Sequence, residues 1–253
     1  MAVSQSDNCP YCGGLGWMIA AKPNGLGLPL FGHKMLCPRC TPAKVKAIVG
    51  PQYAQVEWER SLSVLDPYKI CGMEGADVFY IPLFLGKKDS KDLMDALMYQ
   101  IGAMFPEQGK RDHRQTLWFG EKDYTYSGHT HQAHPIEGAL KHIFDEVVDK
   151  FRLPFNGVLI NLYVDGKVKI SPHSDSEDDI IPNSPILSLS LGASRTFKMK
   201  KKTPGSEWEK EWLLGPGDVL IMAGSTQQFW LHQVPRESSV KEPRLNLTFR
   251  VIK

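Results

Sequence analysis

The stretch PRLNLTFRVIK, residues 243–253, alternates between polar and apolar side chains. Successive side chains of a β-strand point to opposite faces, so residues of one parity share a face. One face carries Leu245, Leu247, Phe249 and Val251, and the other carries Arg244, Asn246, Thr248 and Arg250. The pattern predicts a strand with one packed face and one face that presents two arginines and an amide.

The same period of two recurs upstream and decides the fold class. The segments are GVLINLYV (157–164), ILSLSL (186–191) and QQFWLHQV (227–234), together with the short buried run DVLIMA (218–223). Breaks such as VDG, PNSP, TPGS and GPGD separate them. Many short strands with turns between them predict an antiparallel sandwich or barrel.

Two amphipathic helices are predicted in front of these strands. DSKDLMDALMYQIGAMF (89–105) has apolar residues at helical spacing behind the capping candidates Asp89 and Ser90. PIEGALKHIFDEVVDKF (135–151) starts with Pro135, which suits the first position of a helix. The fold class is therefore α+β and mainly β, with flanking helices on the N-terminal side.

The first 45 residues are rich in Gly and Pro and too poor in periodic apolar residues to build a core. They contain two C-x-x-C pairs, Cys9 with Cys12 and Cys37 with Cys40. This spacing is typical of a zinc ribbon, in which metal binding supplies folding free energy. Incidental thiols and a redox pair are the alternatives, although no strand-helix pattern flanks either pair. We predict a module over 1–45 that holds one structural Zn(II), and a connector of mixed character over 46–85.

Composition favours an ordinary globular protein. Of the 253 residues, 42% are hydrophobic and 23% charged, and the formal charge of +2 is too close to zero to indicate a partner. No apolar run reaches the roughly 18 residues of a membrane span, and no signal-peptide core is present. We therefore expect an intracellular protein, cytoplasmic, or nuclear if it comes from a eukaryote. We also expect a monomer.

Positive charge is concentrated in two short groups. One group is Arg195, Lys198, Lys200, Lys201 and Lys202, and the other is Lys110, Arg111 and Arg114. Such groups are usually solvated faces, and the alternative is a strip that contacts phosphates.

A metal site is indicated by His173 and Asp175, which lie two residues apart at the end of a strand pattern. His232, on a later predicted strand, is the best third ligand. Two histidines and one carboxylate on one face of an octahedron are typical of non-haem Fe(II) oxygenases. A competing set, His129, His131 and His134, has no carboxylate at ligand spacing, and we interpret these as loop histidines.

A pocket for a small dianion is indicated by the polar parity of two strands. Arg244 and Arg250 on one strand, with Asn161 and Tyr163 on another, suit a buried dicarboxylate, because a buried carboxylate must be paired and hydrogen-bonded. A dicarboxylate next to Fe(II) is what 2-oxoglutarate provides.

These elements together resemble the AlkB family of Fe(II)- and 2-oxoglutarate-dependent dioxygenases. The resemblance rests on Asn161-Leu-Tyr163, His173-Ser-Asp175, His232 and Arg244-Leu-Asn246-Leu-Thr-Phe-Arg250. SPILSLSLGASRTF (184–197) is similar to the segment after the first metal ligands, and YTYSG (124–128) to the substrate lid. The likeness runs from about residue 115 onwards, whereas the cysteine module departs from the family pattern.

The resemblance implies a double-stranded β-helix, or jelly roll, in a dioxygenase domain over 86–253. His173, Asp175 and His232 would bind Fe(II). Arg244, helped by Tyr163 and Asn246, would bind the distal carboxylate of 2-oxoglutarate, and Asn161 and Arg250 would support the chelating end. Glu177 would read the damaged base. The remaining implied contacts are Tyr124, Tyr126 and Ser127 in the lid, and Lys198, Lys200, Lys201 and Lys202 on nucleic-acid phosphates.

The implied function is oxidative demethylation of N1-methyladenine and N3-methylcytosine in DNA or RNA, with release of formaldehyde, succinate and CO2. Both methylated bases are cationic, so a carboxylate at Glu177 would favour them. Asp178 and Asp179 are expected to be solvated loop residues. Two alternatives remain: a 2-oxoglutarate-dependent hydroxylase of a protein or small molecule, and a zinc-ribbon nucleic-acid-binding protein with an inactive dioxygenase domain.

Overall fold

The structure, a computed structural model, describes residues 17–19, 34–36, 58–105, 114–126 and 128–253. The chain divides into two compact units, Met1–Val56 and Glu57–Lys253. In the first unit, β1 (Trp17–Ile19) pairs antiparallel with β2 (Lys34–Leu36). The four paired cysteines lie outside the described residues, so the zinc site stays a prediction.

The larger unit is built on two antiparallel sheets. Its strands are β3 (Asp77–Ile81), β4 (Gln115–Gly120), β5 (Tyr124–Tyr126), β6 (His129–His131), β7 (Gly157–Tyr163), β8 (Ile170–His173), β9 (Ile186–Gly192), β10 (Arg195–Lys201), β11 (Lys210–Leu214), β12 (Val219–Ala223), β13 (Trp230–Val234) and β14 (Arg244–Arg250). A six-stranded sheet has the order β3-β12-β9-β14-β7-β4, and a four-stranded sheet has the order β11-β10-β13-β8. β5 and β6 form a separate hairpin. The prediction of a mainly β fold is confirmed, and the two sheets are consistent with a jelly roll.

The two sheets share one core. Leu159 and Met222 of the six-stranded sheet belong to the same buried cluster as Phe197, Met199 and Val234 of the four-stranded sheet. The polar side chains of the central strands also lie in this interior, because every residue of β7 and β14 is buried. The predicted polar face of β14 is thus an interior face, and β14 lies between β7 and β9.

Two helices, α1 (Lys87–Ile101) and α2 (Gly138–Phe151), occupy the positions that the helical spacing predicts. α1 buries Met94, Leu97 and Ile101, and α2 buries Leu140, Ile143, Val147 and Phe151. On α2, Phe144 packs against Phe249 of β14 with ring centroids 5.9 Å apart. The apolar parity of β14 therefore packs against a helix, while the polar parity faces the other sheet.

The predicted helix starts were wrong in detail. α1 begins after Gly86, so Asp89 lies in its first turn and neither Asp89 nor Ser90 is the N-cap. α2 begins after Glu137 and not at Pro135. The reason is a contact between helices: Gln100 of α1 donates to the Glu137 carbonyl at 2.9 Å and accepts from the Ala139 amide at 2.8 Å.

The segment 46–85, expected to be a connector, contributes to the larger sheet. Residues 58–63 are helical, and β3 pairs with β12, with Ile81 opposite Val219. Val78 and Phe79 are buried in that position. The sheet therefore extends beyond the predicted boundary at residue 86. The sequence did not indicate this strand, because its five residues, DVFYI, are few and do not alternate between polar and apolar side chains.

The predicted strand 227–234 is shorter in the structure. A short helix, α3 (Thr226–Phe229), precedes β13, which begins at Trp230. Thr226 stabilises the start of α3, since its hydroxyl donates to the Ala223 carbonyl at 2.6 Å and accepts from the Asp77 amide at 2.9 Å. None of the helices in the described ranges has the length and apolar character needed to cross a membrane.

Candidate active site

The three predicted metal ligands converge at one point between the sheets. His173 ends β8 and lies directly opposite His232 on β13, and their ring centroids are 4.2 Å apart. Asp175 follows two residues later, with Oδ1 at 3.6 Å from His173 Nε2 and Oδ2 at 4.0 Å from His232 Nε2. One ligand atom from each residue lies within 4.8 Å of the others. The cross-strand pair of histidines therefore brings together residues that are far apart in the sequence.

The protonation states of these residues suit a cation. Burial lowers the pKa of His173, and it lowers the pKa of His232 to about 3, so both imidazoles are neutral near pH 7. Burial alone would raise the pKa of Asp175, but Arg250 and the two histidines hold that pKa at about 2. Two neutral imidazoles and one carboxylate are thus the ionic forms that bind a divalent metal.

The hydrogen bonds of the cluster also fit a metal. His173 Nδ1 lies 2.9 Å from the Ser171 carbonyl, so it donates there and leaves the Nε2 lone pair facing Asp175. Among the described residues, the buried Asp175 Oδ1 has no hydrogen-bond partner. A divalent ion between the three side chains would satisfy that oxygen, and this donor set suits Fe(II).

Arg250, at one end of β14, is surrounded by acidic groups. Its Nη2 forms an ion pair with Asp175 Oδ2 at 3.1 Å, and its Nη1 lies 3.8 Å from Glu177 Oε2. Arg250 also donates to the hydroxyl of Tyr124. Burial alone would lower the pKa of Arg250, but Asp175, Tyr124 and Glu177 raise it overall. This end of the cavity is therefore close to internal charge balance.

Arg244, at the other end of β14, has no such anion. Its Nη2 donates to Ser190 Oγ at 2.9 Å and to Asn246 Oδ1 at 2.6 Å, and its guanidinium lies 5.3 Å from the centre of the Tyr163 ring. Within the part of the chain that the structure describes, its buried Nε and Nη1 have no hydrogen-bond partner. Burial lowers the pKa of Arg244 to about 10. Two free donors on a buried cation fit the carboxylate of a ligand.

Amide and hydroxyl groups connect the two ends. Asn161 of β7 lies opposite Asn246 of β14, and both donate to Thr248 Oγ1, at 3.3 and 2.9 Å. Asn161 accepts from Arg114 Nε at 2.7 Å. One cavity is lined by Arg114, Asn161, Tyr163, His173, Asp175, His232, Arg244, Asn246 and Arg250. The structure thus brings together all eight residues predicted for the metal and for 2-oxoglutarate, and adds Arg114.

The predicted lid residues have different environments. Tyr124 is fully buried, its ring 4.6 Å from that of Trp118, so it offers no free face to a base. In this structure Tyr124 is therefore not exposed at the surface where a lid contact with the substrate was expected. Tyr126 is half-buried, and Arg114 lies 5.1 Å from its ring centre and donates to its hydroxyl. Ser127 lies outside the described residues.

Glu177 lies close to the metal cluster, with its Oε2 3.8 Å from Arg250 Nη1. Burial raises the pKa of Glu177, and its side chain is 17% exposed. Asp175 and Glu177 also border a larger cavity of about 300 Å³, together with Lys202 and Gln227. Gln227 accepts a hydrogen bond from the Asp175 amide at 2.9 Å.

The basic residues do not form one uniform strip. Lys198 forms an ion pair with Glu211 at 2.7 Å, Lys201 with Glu74 at 3.3 Å, and Lys202 donates to the Gln227 carbonyl at 2.8 Å. Lys200 lies 5.3 Å from the Trp208 ring centre.

Two arginines assigned to basic groups have partners within the larger unit. Arg195 is 1% exposed and pairs with Glu237 at 2.9 Å, so it does not belong to a surface strip. Arg114 lines the cavity, so it does not belong to the basic surface group that the sequence predicted. Lys110 and Arg111, the other members of that group, lie outside the described residues.

Sequence reasoning missed several polar residues of the site. Ser188 and Ser190 of β9 bond to Asn246 and Arg244, and the parity of ILSLSL could have identified them. Arg114 gave no comparable signal, because it lies outside the alternating segments. Gln227 begins the predicted strand 227–234, but in the structure it lies in the short helix α3. Within the described ranges, no metal-binding group contains His129, His131 or His134. His129 and His131 lie on β6, and the ring of His134 packs against that of Phe119.

Comparisons with known proteins agree with this geometry. The family model of the 2OG-Fe(II) oxygenase superfamily matches residues 77–250. The human protein named DNA oxidative demethylase ALKBH2 is 34% identical over 195 residues, covering 71% of this chain and 74% of that protein. Human alpha-ketoglutarate-dependent dioxygenase alkB homolog 3 is 41% identical over 150 residues, covering 55% of this chain and 51% of that protein. The chain thus matches only about half the length of this relative.

Among solved structures, a prolyl-4-hydroxylase from Pseudomonas putida aligns with a TM-score of 0.48 at 14% identity, covering 78% of this chain and 100% of that chain.

Proposed function

The chain belongs to the AlkB-related 2OG-Fe(II) oxygenases, and from this premise we propose that it oxidatively demethylates alkylated bases in DNA or RNA. N1-methyladenine and N3-methylcytosine are the proposed substrates. The observation that carries the proposal is the cavity itself, with a facial His-Asp-His set at one end and an uncompensated arginine at the other.

In this proposal each group has a separate place. His173, Asp175 and His232 hold Fe(II). The free Nε and Nη1 of Arg244 bind the distal carboxylate of 2-oxoglutarate, beside Tyr163 and Asn246. Asn161 and Arg250 support the end that chelates the metal. When bound, Fe(II) would allow O2 and 2-oxoglutarate to oxidise an N-methyl carbon of the base, with 2-oxoglutarate converted to succinate and CO2 and the methyl carbon released as formaldehyde.

The chain's own residues would select the base. Tyr126 presents a half-exposed ring beside the cavity, which suits stacking on a flipped base. In its ionised form, Glu177 supplies negative charge that favours bases carrying a positive charge. Methylation at the pairing edge also lowers the free energy needed to flip the base out of a duplex.

Two further assignments complete the proposal. Cys9, Cys12, Cys37 and Cys40 hold one structural Zn(II), a proposal that rests on their spacing alone. Lys198, Lys200, Lys201 and Lys202 contact phosphates, supported by their position on one strand and the turn after it.

Formaldehyde release tests the proposed function. Aerobic incubation of the full chain with Fe(II), 2-oxoglutarate and an N3-methylcytosine oligonucleotide should release formaldehyde. Asp175→Ala should lower the rate by at least about 100-fold because it removes a ligand, whereas the neighbouring Asp178→Ala should keep it within twofold. Equal rates for Asp175→Ala and the wild type would contradict the metal assignment. Succinate formation stimulated by peptides, and not by methylated DNA or RNA, would favour a protein hydroxylase instead.

A further inference from the structure

Strand β5 is held at three consecutive residues by three different parts of the larger unit. The Tyr124 hydroxyl accepts from Arg250 of β14, and the Tyr126 hydroxyl accepts from Arg114, which precedes β4. Between them, the Thr125 amide donates to Asp179 Oδ2 at 2.8 Å. Asp179, which was expected to be a solvated loop residue, therefore accepts a hydrogen bond from the backbone of the segment expected to form the substrate lid.

Asp179 is itself firmly placed. It lies four residues after Asp175 on the same loop. Its carbonyl accepts from the Lys253 amide at 2.9 Å, and the following Ile180 is buried and pairs with Ile252. The backbone at Asp179 is thus anchored to residues after β14, and its carboxylate is free to reach the hairpin.

The bond to Thr125 acts on the main chain of the strand. The Thr125 hydroxyl lies 3.1 Å from that of Thr130, across the β5–β6 hairpin, so its side chain ties the two strands together. The amide of Thr125 instead ties the whole strand to the loop. Because Thr125 separates the two tyrosines, this bond fixes the distance of the Tyr126 ring from the loop that carries Asp175 and Glu177.

We propose that Asp179 is a positioning residue for the nucleic-acid substrate, acting through the Thr125 amide to place the Tyr126 ring beside the cavity. The inference rests on the proposed function. A carboxylate that accepts from a backbone amide makes one of the stronger hydrogen bonds in proteins. Its loss should weaken base binding and leave the metal and 2-oxoglutarate in place, since Asp179 does not line the cavity that holds them.

The test compares Asp179→Ala with Asp178→Ala, which removes the same charge from the adjacent residue. Asp179→Ala should raise KM for the N3-methylcytosine oligonucleotide about tenfold, whereas Asp178→Ala should change it less than twofold. Both variants should bind 2-oxoglutarate with Mn(II) as the wild type does, measured by calorimetry without turnover. Asp179→Asn keeps a neutral acceptor and should raise KM only about threefold.

Several results would overturn the inference. Equal KM values for Asp179→Ala and Asp178→Ala would show that any change in KM comes from the loss of one negative charge and not from the bond to Thr125. A loss of Mn(II) or 2-oxoglutarate binding would show a general structural role. If Asp179→Ala does not fold, Asp179→Asn decides, and a KM equal to that of the wild type contradicts the inference. A wild-type protein that releases no formaldehyde would instead refute the proposed function, and this inference with it.

Discussion

The two arginines of β14 lie on the same face of the same strand, and both are buried, yet their surroundings differ. Arg250 forms an ion pair with Asp175 at 3.1 Å and lies near Glu177, and acidic neighbours raise its pKa. Arg244 forms no ion pair with any described residue, and its Nε and Nη1 lack hydrogen-bond partners within the described ranges, whereas Arg250 lacks one only at Nε. Burial lowers its pKa to about 10.

The two ends of the cavity therefore differ in whether the protein itself balances the charge of its buried arginine. A buried charge costs several kcal/mol unless it is paired, and at the Arg250 end Asp175 and Glu177 supply that pairing without a ligand. The Arg244 end carries an uncompensated cation, and proteins retain such a residue where a ligand supplies the missing charge. The folded chain thus supplies an anion for Arg250 and none for Arg244, the residue proposed to bind the distal carboxylate of 2-oxoglutarate.

Matched substitutions of the two arginines give the largest expected difference. In metal-free protein with chelator present, Arg250→Met should lower the free energy of unfolding by about 3 to 5 kcal/mol, because Asp175 and Glu177 lose their cation. Arg244→Met should lower it by less than about 1 kcal/mol, since it removes an unpaired charge. Urea unfolding followed by circular dichroism measures both. Similar losses for the two variants would show that the ends do not differ in internal charge balance.

A smaller effect is expected from Glu177→Gln, which removes one of the two acids at the Arg250 end. The wild type should prefer cationic N3-methylcytosine over neutral N3-methylthymine in kcat/KM, and Glu177→Gln should reduce that preference about tenfold. Burial raises the pKa of Glu177, so the wild-type preference should also fade as pH falls, and at a higher pH than an ordinary glutamate would require. A preference that Glu177→Gln leaves unchanged would remove Glu177 from base recognition.

Much of this site was predictable because alternate residues of a predicted strand share one face in the folded protein. The alternation of β7 and β14 correctly grouped Asn161, Arg244 and Arg250, and the cross-strand partner of His173 is the predicted His232. Helix positions followed from apolar spacing in the same way.

The errors arose where tertiary contacts override local pattern. Gln100 sets the start of α2 from another helix, and packing against Trp118 buries Tyr124, which was expected to be a lid contact. Arg195 and Asp179 were interpreted as surface charges. Arg195 is instead buried and forms an ion pair with Glu237, and Asp179 accepts a hydrogen bond from the Thr125 amide. A sequence does not show which charged side chains will find partners in distant segments.

The most direct test of the account is whether Arg244 recognises the distal carboxylate of a bound 2-oxo acid. Calorimetry with Mn(II) should compare 2-oxoglutarate with 2-oxopentanoate, which has the same chain length and lacks that carboxylate. We expect the wild type to bind 2-oxoglutarate at least about tenfold more tightly, from one or more charge-assisted hydrogen bonds, and Arg244→Met to bind the two compounds equally. A preference for 2-oxoglutarate that persists in Arg244→Met would contradict the account.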